Sequence, residues 1–239
     1  MMSKNLLKIK IAYLYPDFLQ GLCDKANLDI LKFRAAERNI NVEIEEIKND
    51  NKINSSKYDF YYMSGSNTEA LVSCMKHARN NISQLKMACE ANVPMLAINC
   101  GYVLFGKNFQ LDNSPLYNAL GILNTTSSIS QQLIYSKVKG DCYLISDTVV
   151  GFENHITQTT ILDERTRPFL MLPKDKTEGA VYNNVIGTYI TSPILAQNPI
   201  LCDHIISCCL EVRYKCRIPL TRLTDDIEWY SHNYLLEAK

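Results

Sequence analysis

The segment that most constrains the fold is Ala97-Ile98-Asn99-Cys100-Gly101-Tyr102-Val103-Leu104-Phe105-Gly106. An apolar run leads into a turn at a glycine and then into helical spacing. A strand, a sharp turn and a helix in that order make a nucleophile elbow, which lifts one side chain to the top of an α/β sheet. Here that side chain is Asn99, and the cysteine comes one place late at Cys100.

The flanking sequence supplies the rest of an alternating pattern. Lys8 to Tyr15 reads as a first strand. A helix is expected from Asp24, a candidate N-cap, through Leu28, Leu31 and Ala35 to Arg38. Asn41 to Ile47 alternates apolar and charged residues, as a strand with one wet face does. Tyr58 to Met63 is a short apolar strand that stops at Ser64-Gly65-Ser66. Thr68 to Asn92 has helical spacing, parted near Asn80-Asn81, and Pro94 to Ile98 is the strand that delivers the elbow. Strands alternating with helices predict an α/β fold, a mostly parallel sheet with helices on both faces.

The second half is richer in strand signals and less regular. Leu120–Ser128, Leu133–Lys139, Val149–Phe152 and Ala180–Tyr189 are candidate strands. Asn198–Tyr214 reads as a helix, and a terminal helix is expected over 221–238, with Trp229 on its apolar side. Repeats, low-complexity stretches and a Pro/Gly/Ser linker are lacking, so residues 1–239 are read as one domain.

Charge excludes some partners. The chain has 25 Lys plus Arg and 25 Asp plus Glu, a formal net charge of zero, with no basic cluster to draw in nucleic acid or an anionic membrane. Two lysines interrupt the apolar N-terminal run, which is therefore neither a signal core nor a membrane span. Nine cysteines without a secretion signal suit a reduced, cytoplasmic location. Cys202, Cys209 and Cys216 recur every seven residues, a rise of about 10.5 Å on a helix, too long for one zinc ion. They are read as small core residues; no metal and no cofactor is expected. His77, His204 and His232 fall on expected helices and are read as surface or groove residues.

Several segments, in order, resemble the GatD family, the glutamine amidotransferase subunit of lipid II isoglutaminyl synthase, within the CobB/CobQ-like class I amidotransferases. They are Asp24-Lys25-Ala26-Asn27, Pro94 to Ile98 with Gly101-Tyr102 and Gly106-Lys107, Ala119 to Leu123, Gly151-Phe152-Glu153-Asn154-His155, and Gly187 to Leu195. The resemblance spans nearly the whole chain. It implies a single amidotransferase-like domain working beside a Mur-ligase-type synthetase in amidation of peptidoglycan precursors.

The departures fall on the chemistry. Against the family's Ile-Cys-Gly-Gly-Tyr, Asn99 takes the nucleophile position and Cys100 replaces a glycine. Where the family has the base His of His-Gly-Pro, this chain has Thr191. The glycine-rich oxyanion loop is reduced to Ser64-Gly65-Ser66, and Gly-Gly-Arg-Thr after Glu-Asn-His becomes Ile156-Thr157-Gln158-Thr159. Glutamine hydrolysis needs a thiolate and a base that protonates the leaving ammonia. Asparagine offers no such nucleophile, and threonine has no proton affinity near neutral pH.

The resemblance with these departures implies a pseudo-glutaminase kept as a non-catalytic partner subunit of a Mur-ligase-like synthetase. Two other readings stay open. One is an active amidotransferase with Cys100 as nucleophile and His155 as base. The other is a small-molecule binding module using a cleft around Ser64, Asn99 and Thr191. Gly65, Ser66, Gly101, Tyr102, Glu153, Asn154 and His155 complete the candidate cleft and contact residues.

Overall fold

The computed structural model describes residues 7–19, 24–49, 51–191 and 193–237. In chain order the first elements are β1 (Leu7–Leu14), α1 (Pro16–Leu19), α2 (Asp24–Ala36), β2 (Ile40–Ile47) and β3 (Phe60–Gly65). Next come α3 (Leu71–Ala78), α4 (Ile82–Glu90), β4 (Met95–Asn99) and α5 (Cys100–Phe105). A single 3₁₀ turn over Arg79–Asn81 separates α3 from α4, where the Asn-Asn pair interrupts the helical spacing.

The second half begins with β5 (Asn108–Leu111), β6 (Leu116–Asn118) and two long strands, β7 (Thr125–Cys142) and β8 (Asp147–Ile161). It continues through β9 (Leu170–Met171), β10 (Thr177–Glu178), β11 (Ala180–Tyr182) and β12 (Val185–Thr188). It closes with α6 (Ile194–Gln197), α7 (Pro199–Tyr214) and α8 (Asp226–Glu237).

The expected parallel sheet is present. Its order is β11-β12-β4-β3-β1-β2, parallel throughout except for β11 at one edge. Alternate strand residues feed two cores, as a sheet covered on both faces requires. Ala12, Leu14, Tyr61, Met63, Met95 and Ala97 pack with residues of α3, α4 and α5. Ile9, Ile11, Tyr13, Tyr62, Leu96 and Ile98 pack instead with α2 and α7.

A second sheet, ordered β10-β9-β7-β5-β6 with β8 on β7, is mainly antiparallel. The strands read separately at 133–139 and 149–152 are parts of the long β7–β8 hairpin. Residues 120–123 are a turn rather than a strand: Gly121 has φ +64, and the amides of Gly121, Ile122 and Leu123 bond to Gly106 and Phe105 carbonyls.

The terminal helix starts at Asp226, later than the sequence predicts. Arg38 donates to the Thr221 carbonyl at 2.7 Å, and the Asp225 carboxylate is taken by Arg34. Those contacts hold 221–225 in an extended path, and the first helical bond runs from Trp229 N–H to the Asp225 carbonyl. The side chain of Asp24, the candidate N-cap, and residues 238–239 lie outside the described residues.

Two surface assignments change. His232 is buried, donating from Nδ1 to the Gln197 carbonyl at 2.8 Å, edge-on to Trp229. Cys202 and Cys209 face the core as expected, but Cys216 lies beyond the left-handed Lys215 that ends α7 and is exposed.

Candidate functional site

Strands β3, β4 and β12 run parallel, so their C-terminal ends meet at one edge of the sheet. Gly65 pairs with Asn99, and Thr188 pairs with Ile98. This is where an α/β sheet presents its ligands and reacting groups. Asn99 joins strand to helix at φ 54 and ψ −113, outside the left-handed helical region that asparagine tolerates. A non-glycine residue held there is strained, and a nucleophile elbow has this sense of strain. The elbow is therefore intact in the backbone, with Asn99 as its tip at 7% exposure.

The helix after the elbow lies directly on β3. A Cβ at Gly101 would come within 2.2 Å of the Met63 carbonyl oxygen, so only glycine permits this approach. Cys100 is buried in the interior. It is 1% exposed and belongs to the core shared with Cys74, Met75, Val103 and Leu104. Burial pushes the Cys74 thiol up to about 12, and the neighbouring Cys100 sulfur adds to that. Tyr102 is likewise buried, while Ser64 is buried and Ser66 exposed.

Thr191 is fastened to β8 rather than aimed freely into solvent. Its amide donates to the Phe152 carbonyl at 2.9 Å, and its hydroxyl lies 3.4 Å from the same oxygen. Residue 190 forms a bridge to Glu153, so the segment after β12 and the Glu153-Asn154-His155 motif are brought together. Ser192 lies outside the described residues.

His155 is held by contacts on its ring face and at both ring nitrogens. Its ring stacks on Tyr189 with centroids 4.0 Å apart and planes 11° apart. Tyr102 packs against the same Tyr189 at 4.9 Å. Nε2 is 3.3 Å from Glu153 Oε2, and Nδ1 accepts the Thr157 amide at 3.2 Å. Both ring nitrogens are thus engaged. Burial opposes ionisation of Glu153, but the imidazole and the Ser136 hydroxyl hold its carboxyl below the usual range. Asn154 is exposed.

Sequence reasoning missed Glu178. Burial pushes its carboxyl up to about 8, against the Tyr189 amide at 2.7 Å and the Thr188 hydroxyl at 2.9 and 3.0 Å. The Thr188 oxygen also accepts the Ile190 amide at 3.1 Å. One buried acid therefore sets the course of residues 188–190 on their way to Thr191. Its only sequence signal is an acid enclosed by an apolar strand pair, Thr177-Glu178-Gly179-Ala180-Val181. Asn27, which closes the Asp24-Lys25-Ala26-Asn27 segment, donates to Tyr62 Oη at 3.2 Å and accepts the Leu195 amide at 3.0 Å.

A cavity of about 610 Å³ opens beside this network, lined by Tyr102, Glu153, His155, Gln158, Glu178 and Tyr189 among others. Ser64, Asn99 and Thr191 do not line it. The structure thus gathers the expected residues into two neighbouring groups, the elbow with its strand ends and the Glu153–His155–Tyr189 cluster.

A parallel sheet covered by helices, with an elbow at the end of a central strand, defines an α/β domain of amidotransferase architecture. The profile of the CobB/CobQ-like glutamine amidotransferase domain matches residues 10–199, and the chain belongs to that family. It is 30% identical over 206 residues to the GatD subunit of the glutamine-hydrolysing lipid II isoglutaminyl synthase of Staphylococcus aureus strain N315, covering 83% of each chain. A crystal structure of a glutamine amidotransferase superposes with a TM-score of 0.56 at 13% identity, over 83% of this chain and 98% of that one. A glutamine amidotransferase from Thermotoga maritima gives 0.50 at 15% identity, over 97% and 94%. These two likenesses concern the fold. Among the described residues no helix is long and apolar enough to cross a membrane.

Proposed function

We propose that this chain is a pseudo-glutaminase, a GatD-like subunit that keeps the amidotransferase scaffold without glutamine hydrolysis and acts as the non-catalytic partner of a Mur-ligase-like synthetase in the cytoplasm. The observation that carries the reading is the elbow itself: the strained backbone at φ 54 and ψ −113 carries an amide side chain instead of a thiol. The residue at the base position, Thr191, cannot take up a proton near neutral pH. Without nucleophile and base, attack on the glutamine amide has no covalent route.

The neighbouring thiol does not replace the missing one. Cys100 is 1% exposed and packed in the core beside Cys74, whereas a reactive thiol is at least partly exposed. His155 has both nitrogens engaged and is 8% exposed, which favours a role in ordering β8 against the segment after β12.

For contact with a synthetase, burial removes Tyr102 and His155 from the candidate surface and leaves Ser66 and Asn154. The interface carries no concentrated charge, so association is expected to depend little on salt. The test is co-purification of the chain with a Mur-ligase-type synthetase, as wild type and as Ser66→Arg/Asn154→Arg. A complex that survives 0.5 M salt (about a 4 Å screening length) and weakens in the double variant supports the reading. Failure of the wild type to co-purify contradicts it.

A further inference from the structure

The stretch Ile156-Thr157-Gln158-Thr159-Thr160-Ile161 carries no charge and no proline and is rich in β-branched residues. It is the last part of β8, which pairs with β7 on one side only. Strand edges are usually blunted by lysine or proline, or are covered, because their unpaired amides and carbonyls invite another chain. The unpaired groups follow from the ladder. The Thr125 and Ile129 carbonyls turn toward β5, where they accept the Lys107 and Asp112 amides, each at 2.8 Å. Residues 125, 127 and 129 therefore oppose 161, 159 and 157 in pairs that exchange no hydrogen bonds. The backbone N–H and C=O of Thr159 and Ile161 point away from β7. Among the described residues those two amides have no partner, whereas the Thr157 amide is met by His155 Nδ1 at 3.2 Å.

This edge borders the cavity of about 610 Å³, which residues 157–161 all line. Successive strand residues point to opposite faces, so a consecutive run shares one cavity only along its backbone edge. Pro168, Glu178 and Gly179 line the same space, so the edge is recessed rather than laid open on a flat surface. The fold already adds an extended segment to β8 just before this stretch. Ile190 forms an antiparallel bridge with Glu153, and the Thr191 amide donates to the Phe152 carbonyl at 2.9 Å. Beyond His155 that pairing stops and the cavity takes its place.

The lining carries the carboxyl groups of Glu153 and Glu178 and neither lysine nor arginine. Glu153 Oε1 takes the Ser136 hydroxyl and Oε2 faces His155 Nε2, which leaves lone pairs free on both oxygens. An acidic segment is disfavoured beside them, and a basic side chain is matched. A recessed edge admits one extended chain, not the sheet edge of a second folded copy. We propose that this cavity is a strand-addition groove, in which an extended segment of a partner protein pairs with the free backbone groups of Thr159 and Ile161 and sets a basic side chain against Glu153. The groove is independent of whether the chain hydrolyses glutamine.

The test is calorimetric titration of the full chain with the peptide acetyl-Val-Thr-Lys-Thr-Val-amide, which is expected to bind saturably. The same peptide N-methylated at every amide cannot donate to the edge and is expected to bind about tenfold or more weakly. The peptide with glutamate in place of lysine is expected to lose about tenfold as well, and Glu153→Gln should shrink that difference to below about threefold. Ile161→Pro, with unchanged circular dichroism, removes one edge amide at a place where a strand tolerates proline, and is expected to weaken binding. Absence of saturable binding, or equal affinity for the N-methylated peptide on the wild-type chain, overturns strand addition. Equal affinity for the lysine and glutamate peptides overturns the basic partner. Self-association of the chain that Ile161→Pro abolishes would put a second copy in the groove and overturn the proposal.

Discussion

The imidazole of His155 lies flat on the phenol of Tyr189, with centroids 4.0 Å apart. This contact joins the two most family-like stretches of the second half, Gly151 to His155 and Gly187 to Leu195. The stacked pair bears on a network that ends at Glu178, whose carboxyl holds the Tyr189 amide. The segment leading to Thr191 is therefore organised by groups other than the residue at the base position. On the proposed reading, the elbow and the segment leading to Thr191 keep their order although Asn99 and Thr191 stand at the nucleophile and base positions.

Glu178 makes the stability of the fold depend on pH. Its carboxyl is raised from about 4.5 to about 8 by burial, with the nearby Glu153 charge acting in the same sense. The folded protein then binds a proton that the unfolded chain releases above about 4.5. This contribution to stability is complete below that value and is lost as pH rises through about 8. Denaturant midpoints should fall across that window. Glu178→Gln, which mimics the protonated acid, should flatten the profile. A wild-type midpoint that does not fall between pH 5 and 8 (about 3 units of a raised carboxyl's range) would refute the assignment.

Arg34 clamps three parts of the chain. It is 1% exposed, bonds Asp203 at 2.9 Å and Asp225 at 2.6 and 3.2 Å, and shares Asp203 with Arg38. Removing one partner of a buried ionic group strands the others. Arg34→Ala should cost about 3–5 kcal/mol in urea unfolding. Arg34→Lys should recover only part of this, because an ammonium cannot form the two-pronged contact. A loss below about 1 kcal/mol would mean that these charges are solvated rather than clamped.

The thiols should divide by location. Cys216 is exposed and should react with iodoacetamide within the native state. Cys100 is buried and should be labelled only as the protein unfolds, and the glutamine analogue 6-diazo-5-oxo-norleucine should leave it unmodified. Peptide mass spectrometry after timed labelling distinguishes the two. Native-state labelling of Cys100 as fast as Cys216 would bring back the reading in which it attacks.

Much of the first half was legible because its strands carry their own signal. Lys8–Tyr15 and Pro94–Ile98 are apolar runs closed by turns, and both are strands of the parallel sheet. Asn99 as the tip of an elbow was readable from the strand–glycine–helix order. The β7–β8 hairpin was not, because Ser127, Gln131 and Gln132 interrupt the apolar alternation and the strands are held by each other. Nor was the burial of His232, which depends on the carbonyl of Gln197 in another segment. Glu178 was hidden for a similar reason: its partners follow it across a hairpin, and a lone acid has no periodicity.

Restoring the family residues in place tests how much of the cleft survives. Asn99→Cys with Cys100→Gly and Thr191→His should give at best weak ammonia release from glutamine. The Ser64-Gly65-Ser66 turn still differs, and each missing oxyanion donor costs about 10²–10³ in rate. Turnover at the level of an ordinary glutaminase would mean that the turn already supplies those donors.

The most direct measurement is ammonia release from glutamine by the purified wild-type chain, alone and with the Mur-ligase-type synthetase proposed as its partner, beside a Cys100→Ala control. With Asn99 at the elbow and Cys100 buried, both proteins should stay at the buffer background. Ammonia release by the wild type that disappears in Cys100→Ala would contradict the account.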